Sequence, residues 1–92
     1  MPTVKMTSHL YRFFPQLQNQ SITVPTGSVG AALRSINEQA PGFIDYILDE
    51  RGVLRRHVKL CINDTVVIDR KALTDQLKSN DTLFIFQALS GG

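Results

Sequence analysis

Alternating apolar and polar positions near the start of the chain predict two β-strands joined by a short polar link. The first strand is predicted from Thr3 to Tyr11 and ends before the Phe13-Phe14-Pro15 segment. Ile22 and Val24 alternate with polar residues and mark the second strand. Gln16 to Gln20 form the link, whose length suits a hairpin.

A helical pattern follows, because apolar residues then recur three or four positions apart. Ser28 is placed to cap this helix, and Pro41-Gly42 is placed to end it. The apolar positions that share its buried face are Val29, Ala32, Leu33, Ile36 and Ala40. A second, shorter helix is predicted from Phe43 to Glu50.

The second half of the chain returns to a strand pattern. In the third strand Val58, Leu60 and Ile62 face one way, because side chains two positions apart share a face. The elements predicted after it are a tight turn at Asn63-Asp64, a short strand at Val66-Val67-Ile68, one helical turn from Leu73 to Leu77, a turn at Ser79-Asn80-Asp81 and a last strand from Thr82 to Ala88.

The last strand is apolar on both faces at Leu83-Phe84-Ile85-Phe86, as a central strand requires. With the first strand beside it and the Ser28 helix across one face, the elements predict an α+β fold. This is the β-grasp or ubiquitin-like roll, a mixed sheet of four to five strands with one main helix. We expect a single domain over residues 1–88 and a flexible C-terminal tail over residues 89–92 that ends in Gly-Gly.

Composition narrows the function classes. The chain has 92 residues, 42 % of them hydrophobic, and a net charge of only +2, which does not favour a nucleic-acid partner. One cysteine, Cys61, excludes an internal disulfide, and with only two histidines beside it no structural zinc site is expected. The start lacks the apolar run of a signal peptide and no stretch is long enough for a membrane span, so we expect a cytoplasmic protein with no membrane partner.

Three segments resemble a known family. They are the Val58-Lys59-Leu60-Cys61-Ile62-Asn63-Asp64 strand and turn, the Leu77 to Leu83 segment before the last strand, and the terminal Ala88-Leu89-Ser90-Gly91-Gly92. In order and spacing they resemble the small sulfur carriers of molybdopterin, thiamine and cysteine biosynthesis. Those proteins are ubiquitin-like and end in Gly-Gly.

The resemblance implies that the chain is a substrate and shuttle with no catalysis of its own. An E1-like adenylyltransferase would join Gly92 to AMP from ATP, and a sulfur donor, either a sulfurtransferase or a cysteine desulfurase, would then leave a terminal thiocarboxylate. A sulfur-accepting synthase and a metalloprotease of the carrier pathway are the other partners implied. No cofactor is expected on the chain itself, since the Thr26 to Gly30 segment lacks the spacing and lysine of a phosphate-binding loop.

Two other functions stay open on the same fold. One is a protein modifier conjugated through Gly92 to lysines, and the other is the small subunit of a stable synthase complex that inserts its tail into the partner's active site. All three depend on the tail, Leu89-Ser90-Gly91-Gly92, in which the two glycines allow close approach to the terminal carbonyl because they have no Cβ.

Phe84 and Phe86 form the main candidate binding surface outside the tail. Since Leu83 and Ile85 point to the core, the two rings face the other side of the sheet, together with Lys59 and Cys61. An apolar patch on an open sheet indicates a partner site. The alternative is that the segment from Pro2 to Val4 or the Phe13-Phe14 loop covers these rings.

The remaining candidate residues give weaker indications of a functional site. One basic cluster has two interpretations of equal weight, a docking patch for an acidic partner and a solvated face. It consists of Arg51, Arg55, Arg56, His57 and Lys59. Cys61 is interpreted as a small apolar strand residue rather than as a nucleophile, and His57 as a solvated residue at the strand entry. The carboxylates of Asp45, Asp49 and Glu50 are interpreted as a solvated helix face.

Overall fold

The computed structural model describes residues 1–18 and 21–87. Over these residues the chain forms a five-stranded sheet in the spatial order β2-β1-β7-β4-β5 and a separate pair, β3-β6. The strands are β1 (Thr3–Met6), β2 (Ile22–Thr23), β3 (Gly27–Ser28), β4 (Val58–Ile62), β5 (Thr65–Val66), β6 (Gln76–Leu77) and β7 (Thr82–Gln87). The helices are α1 (Ser8–Phe13), α2 (Val29–Gln39) and α3 (Phe43–Ile47), and Pro15–Leu17 form a short 3₁₀ helix.

The last strand, β7, lies in the middle of the sheet. It pairs in parallel with β1 and antiparallel with β4, so the sheet is mixed. Leu83 and Ile85 are fully buried, as the residues of a central strand that face the core should be. The predicted α+β fold, with the last strand central and the first strand beside it, is confirmed.

The predicted cap and buried face of the main helix are also confirmed. The Ser28 hydroxyl accepts a hydrogen bond from the Ala31 backbone N–H at 3.1 Å, and it thereby satisfies one of the free donors of the first turn. Leu33 and Ile36 of α2 are fully buried. Gly42 lies directly before α3 with a φ of 97°, a left-handed conformation that glycine adopts without a Cβ clash.

The predicted length of the first strand is wrong. β1 ends at Met6, and α1 begins two residues later. Leu10, Phe14 and Leu17 are all buried, and their spacing of four and three residues places them on one side of the α1 and 3₁₀ helices. The predicted polar link is therefore partly helical, and its residues 19 and 20 lie outside the described ranges.

The predicted helical turn from Leu73 to Leu77 is also wrong. Leu73 has a φ of 55°, which is not helical, and its carbonyl accepts from the Gly30 N–H at 3.0 Å. The Asp75 carbonyl accepts from the Val29 N–H at 2.8 Å, and β6 pairs with β3. The carbonyls of this segment satisfy free N–H groups at the start of α2, and Gln76–Leu77 continue as a strand instead of a helical turn.

Two other predicted boundaries shift. The second short helix ends at Ile47 rather than Glu50, because Leu48 is extended and bridges to Leu54. The fourth strand is Thr65–Val66 rather than residues 66–68. The predicted domain boundary at residue 88 lies outside the described residues, so it stays a prediction.

Candidate functional site

The open side of the central strand carries the surface that we call the phenylalanine face, made of Phe84, Phe86, Lys59 and Cys61. The β4–β7 register places Lys59 opposite Phe86 and Cys61 opposite Phe84. The two rings stack with centroids 6.1 Å apart and planes 12° apart, and Phe86 is 46 % exposed. The sequence thus placed these four side chains on one face correctly, whereas partner binding there stays a prediction.

The segments named as alternative covers lie elsewhere. Phe14 is buried against Phe43 and Tyr46, with ring centroids 5.2 Å and 5.7 Å away. Phe13 packs against Tyr46 at 5.1 Å. The carbonyl of Pro2 accepts from the Val24 N–H at 3.0 Å, at the β2 edge of the sheet. These contacts leave Phe86 exposed.

At its C-terminal end the phenylalanine face meets a depression that we call the Gln87 pocket. Its volume is about 460 Å³, and its lining residues are Thr7, His57, Lys59, Phe86 and Gln87. Gln87 is the last described residue, and the next five residues of the sequence lead to Gly92. The described part of β7 therefore ends at this pocket, beside Phe86.

Thr7 fixes the strand at this point. Its backbone N–H donates to the Ile85 carbonyl at 3.0 Å, and its hydroxyl donates to the same carbonyl at 3.3 Å. The hydroxyl oxygen also accepts from the Gln87 N–H at 3.0 Å. Since Thr7 lies one residue beyond β1, its side chain extends the pairing of β1 with β7 after the strand itself has ended.

On the other side of His57 lies a wider depression, which we call the basic groove. It has a volume of about 720 Å³, and its lining residues are Asp49, Arg51, residues 53–57, Arg70 and Lys71. Arg70 Nη2 donates to the Arg55 carbonyl at 2.6 Å, which ties the two segments together. His57 lines both the groove and the Gln87 pocket, so the two depressions are neighbours.

The predicted basic cluster is thus divided. Arg51, Arg55, Arg56 and His57 line the groove, whereas Lys59 lies on the phenylalanine face. Arg55 donates from Nε and Nη2 to the Asp45 carbonyl, at 3.3 Å and 3.0 Å. Arg51 forms an ion pair with Asp49 at 3.0 Å.

The residues of these surfaces that sequence reasoning missed include Thr7, Arg70 and Lys71. Thr7 fits the alternation of an ordinary strand position, and only the hydrogen bonds to β7 reveal its role. Arg70 lies 15 residues from the Arg55 carbonyl that it contacts, so no local pattern joins them. The predicted tail residues, Leu89-Ser90-Gly91-Gly92, lie outside the described residues, and their roles stay predictions.

Two aspartates organise the loops on either side of the groove. The Asp49 carboxylate accepts from the Val53 N–H and from Arg51, and these bonds lower its pKa. The Asp69 carboxylate accepts from the Thr74 hydroxyl at 2.6 Å and from the Ala72 N–H at 2.9 Å. The Thr74 hydroxyl is the larger cause, and the pKa of Asp69 falls to about 2. Both aspartates thus act as loop caps, which replaces the interpretation of Asp49 as part of a solvated helix face.

Within residues 1–18 and 21–87, no three His, Cys, Asp or Glu side chains come together in a way that could hold a metal ion. None of the helices in those ranges combines the length and apolar character needed to cross a bilayer.

Comparison with the sequence models of known protein families gives a match. The sequence model of the ThiS family matches residues 11–92. No curated protein sequence gives a match.

Solved structures give similar folds. A chain in the crystal structure of the Amycolatopsis orientalis BexX/CysO complex matches with a TM-score of 0.83 at 23 % identity and covers 100 % of both chains. Mycobacterium tuberculosis CysO, described as an antigen, matches at 0.81 and 23 % identity, with 97 % of this chain and 100 % of that chain covered. SAMP1 from Haloferax volcanii matches at 0.75 and 22 % identity, with 98 % and 97 % covered. At these identities the structures establish the β-grasp fold.

Proposed function

This chain belongs to the ThiS family of ubiquitin-like carriers, and from that premise we propose that it carries sulfur as a thiocarboxylate on Gly92. The observation that carries the proposal is the position of the phenylalanine face. It lies on the central strand that leads to the Gly91-Gly92 sequence, so a single partner is able to hold the face and reach the glycines together.

The chemistry at Gly92 needs a separate enzyme. A terminal carboxylate is anionic at neutral pH, with a reference pKa of about 3.3 to 3.7, and is a poor electrophile. An E1-like adenylyltransferase supplies ATP; a Gly92 carboxylate oxygen attacks the α-phosphorus, and pyrophosphate leaves. Sulfur at the oxidation level of sulfide then attacks the carbonyl carbon, the bond to AMP breaks, and a thiocarboxylate remains.

The chain is a substrate in these steps and not the catalyst. The sulfur comes from the cysteine persulfide of a sulfurtransferase or a cysteine desulfurase; a thiol reductant releases it at the oxidation level of sulfide and is itself oxidised to a disulfide. A sulfur-accepting synthase then removes the sulfur from the chain. A metalloprotease of the carrier pathway acts on the same chain. Cys61 takes no part: its thiol is half-buried on β4, opposite Val66 and Phe84.

Mass spectrometry of the intact protein tests the proposal. After incubation with ATP, sulfide and the E1-like adenylyltransferase of the same organism, we expect one oxygen of Gly92 to be replaced by sulfur. Cys61→Ser should react like the unchanged chain, whereas Gly91→Val should not react, because a branched Cβ blocks the approach to the terminal carbonyl. A persulfide on Cys61 with an unchanged Gly92 carboxylate would overturn the proposal.

A protein modifier is the second candidate. It is supported by the similarity to the H. volcanii small archaeal modifier protein 1, which matches with a TM-score of 0.72. In that case Gly92 is transferred to lysine amines, and isopeptide-linked adducts of higher mass accumulate in cells. Their absence while the thiocarboxylate forms favours the carrier.

A stable synthase subunit is the third candidate, and the solved BexX/CysO complex gives a precedent for a similar chain bound to a partner. Co-purification of this chain with a synthase as a fixed hetero-oligomer would favour it. Dissociation of the complex after each sulfur transfer favours the shuttle.

A further inference from the structure

The basic groove concentrates positive charge that its one acidic lining residue neutralises only in part. Its lining includes five of the ten Lys and Arg residues and one of the eight Asp and Glu residues. The rest of the chain holds five cations and seven acids and is therefore net negative, although the whole chain is at +2. The lining cations are Arg51, Arg55, Arg56, Arg70 and Lys71.

The guanidinium groups of Arg55 and Arg70 are held by neutral acceptors. Arg55 donates to the Asp45 carbonyl, and Arg70 donates to the carbonyls of Leu54 and Arg55. Carbonyl oxygens fix the position of a guanidinium but leave its full charge available. In the described part of the chain, Arg51 is the one groove cation with an ion-paired acid, Asp49.

Asp69, the nearest acid in sequence to Arg70, does not neutralise the groove through an ion pair. Its carboxylate accepts from the Thr74 hydroxyl and from the backbone N–H groups of Ala72 and Lys71. These are neutral donors of the loop that follows. Arg56 is exposed and has no hydrogen-bond partner among the described residues, so its charge faces solvent.

We propose that the basic groove binds an acidic peptide segment of a partner protein. Charge complementarity is the first reason, because several fixed cations in one concavity attract carboxylates. Val53 and Leu54 add apolar surface for the side-chain stems of such a segment. The groove is not lined by Phe, Tyr or Trp, which single-stranded nucleic acids use as stacking platforms.

The place of the groove in the fold gives the second reason. His57 borders both the groove and the Gln87 pocket, and the pocket in turn contains Lys59 and Phe86 of the phenylalanine face. A segment in the groove therefore lies next to the surface formed by Phe86 and Gln87. The inference goes beyond the proposed function, because binding here needs no chemistry at Gly92.

An NMR titration of the full ¹⁵N-labelled chain with acetylated, amidated hexaglutamate tests the inference. We expect the shifted amides to cluster in residues 49–57 and 70–71, and we expect added salt to weaken binding. Arg56→Gln with Lys71→Gln should weaken binding about three- to tenfold at low ionic strength, as the loss of two exposed ion pairs predicts. Neither side chain makes a described hydrogen bond, so the fold should be retained.

The matched control is Lys5→Gln with Arg12→Gln, two exposed cations outside the groove. Both double variants lower the net charge from +2 to zero. If the control variant keeps its affinity for hexaglutamate, the result supports binding in the basic groove. An equal loss in both, shifts centred outside the groove, or no binding by hexaglutamate would overturn the inference. Tighter binding of a thymidylate oligonucleotide of equal charge would overturn it in favour of nucleic acid. None of these results depends on whether Gly92 accepts sulfur.

Discussion

The two faces of β7 differ in what their side chains do, although alternate residues of one strand supply both. Leu83 and Ile85 are fully buried in the core, whereas Phe84 and Phe86 point to the open side. One face holds the fold together, and the other carries the half-buried ring of Phe84 and the exposed ring of Phe86 beside Lys59. Because the two sets are only one residue apart, substitutions on β7 compare folding with binding at nearly the same place.

The largest expected effect is on the buried face. Ile85→Ala should lower the free energy of unfolding by about 2 to 5 kcal/mol, since it removes a fully buried side chain and leaves a cavity. Urea denaturation measures the loss. Phe86→Ser is the control on the neighbouring residue and should leave the thermal midpoint nearly unchanged, because Phe86 is 46 % exposed. An equal loss of stability in both variants would contradict the distinction between the faces.

The next effect is on partner affinity. Burying a phenylalanine side chain contributes roughly 1.5 to 3 kcal/mol. We therefore expect Phe84→Ser with Phe86→Ser to weaken binding to the E1-like adenylyltransferase by at least about tenfold, or 1.4 kcal/mol. Isothermal titration calorimetry with folded variants checks this. Unfolding of the double variant without a binding defect in either single variant would assign both rings to the core.

A smaller loss of stability is expected from substitution of Thr7, which follows the end of β1 and contacts the end of the described part of β7. Thr7→Val keeps the shape of the side chain but removes the two bonds of the hydroxyl, to the Ile85 carbonyl and from the Gln87 N–H, at a cost of about 1 kcal/mol. The bond from the Thr7 backbone N–H to the Ile85 carbonyl remains. Exchange of the Gln87 amide hydrogen should become faster. Thr3→Val is the control: it removes the 3.1 Å bond to Thr82 at the other end of the same strand pair. If Gln87 exchange responds equally to both variants, Thr7 has no special role.

The smallest expected effect is the loss of stability at acidic pH, because the carboxylates that become protonated lie in exposed loops. Hydrogen bonds from Thr74 and Ala72 lower the pKa of Asp69 from 3.8 to about 2. A lowered pKa in the folded state adds stability above the unfolded pKa, and that stability is lost as the pH falls from about 4 to about 2. Thermal unfolding across this range should show a smaller decrease in Asp69→Asn than in the unchanged chain. A pH dependence that Asp69→Asn leaves unaltered would contradict this assignment.

The dependence of stability on acidic pH also distinguishes the two faces of β7 from the exposed loops. Neither face of β7 carries a carboxylate, so the difference between Ile85→Ala and Phe86→Ser should persist from neutral pH down to about pH 4. The loops at Asp49 and Asp69 depend instead on ionised caps.

Local patterns were sufficient for the elements whose signal lies within a few residues. The Ser28 cap, the α2 face and the alternation of β4 and β7 were all readable, because side-chain direction follows from the period of the element. The same alternation misled at the first strand. Met6 and Leu10 fit a period of two, yet Leu10, Phe14 and Leu17 are on one buried side of two helical segments. A spacing of four and three residues was the signal that could have revealed them.

The sequence by itself determined the β-grasp fold, the central position of the last strand and the shared face of Phe84, Phe86, Lys59 and Cys61, because these follow from periodicity and apolar content. Only the tertiary structure decided the conformation of residues 73–77, whose carbonyls meet the N-terminus of α2. It alone also joined Arg70 to the Arg55 loop and Thr7 to Gln87. The physical reason is that hydrogen bonds between residues distant in sequence form only after the core has brought their segments together, and no local period encodes that approach.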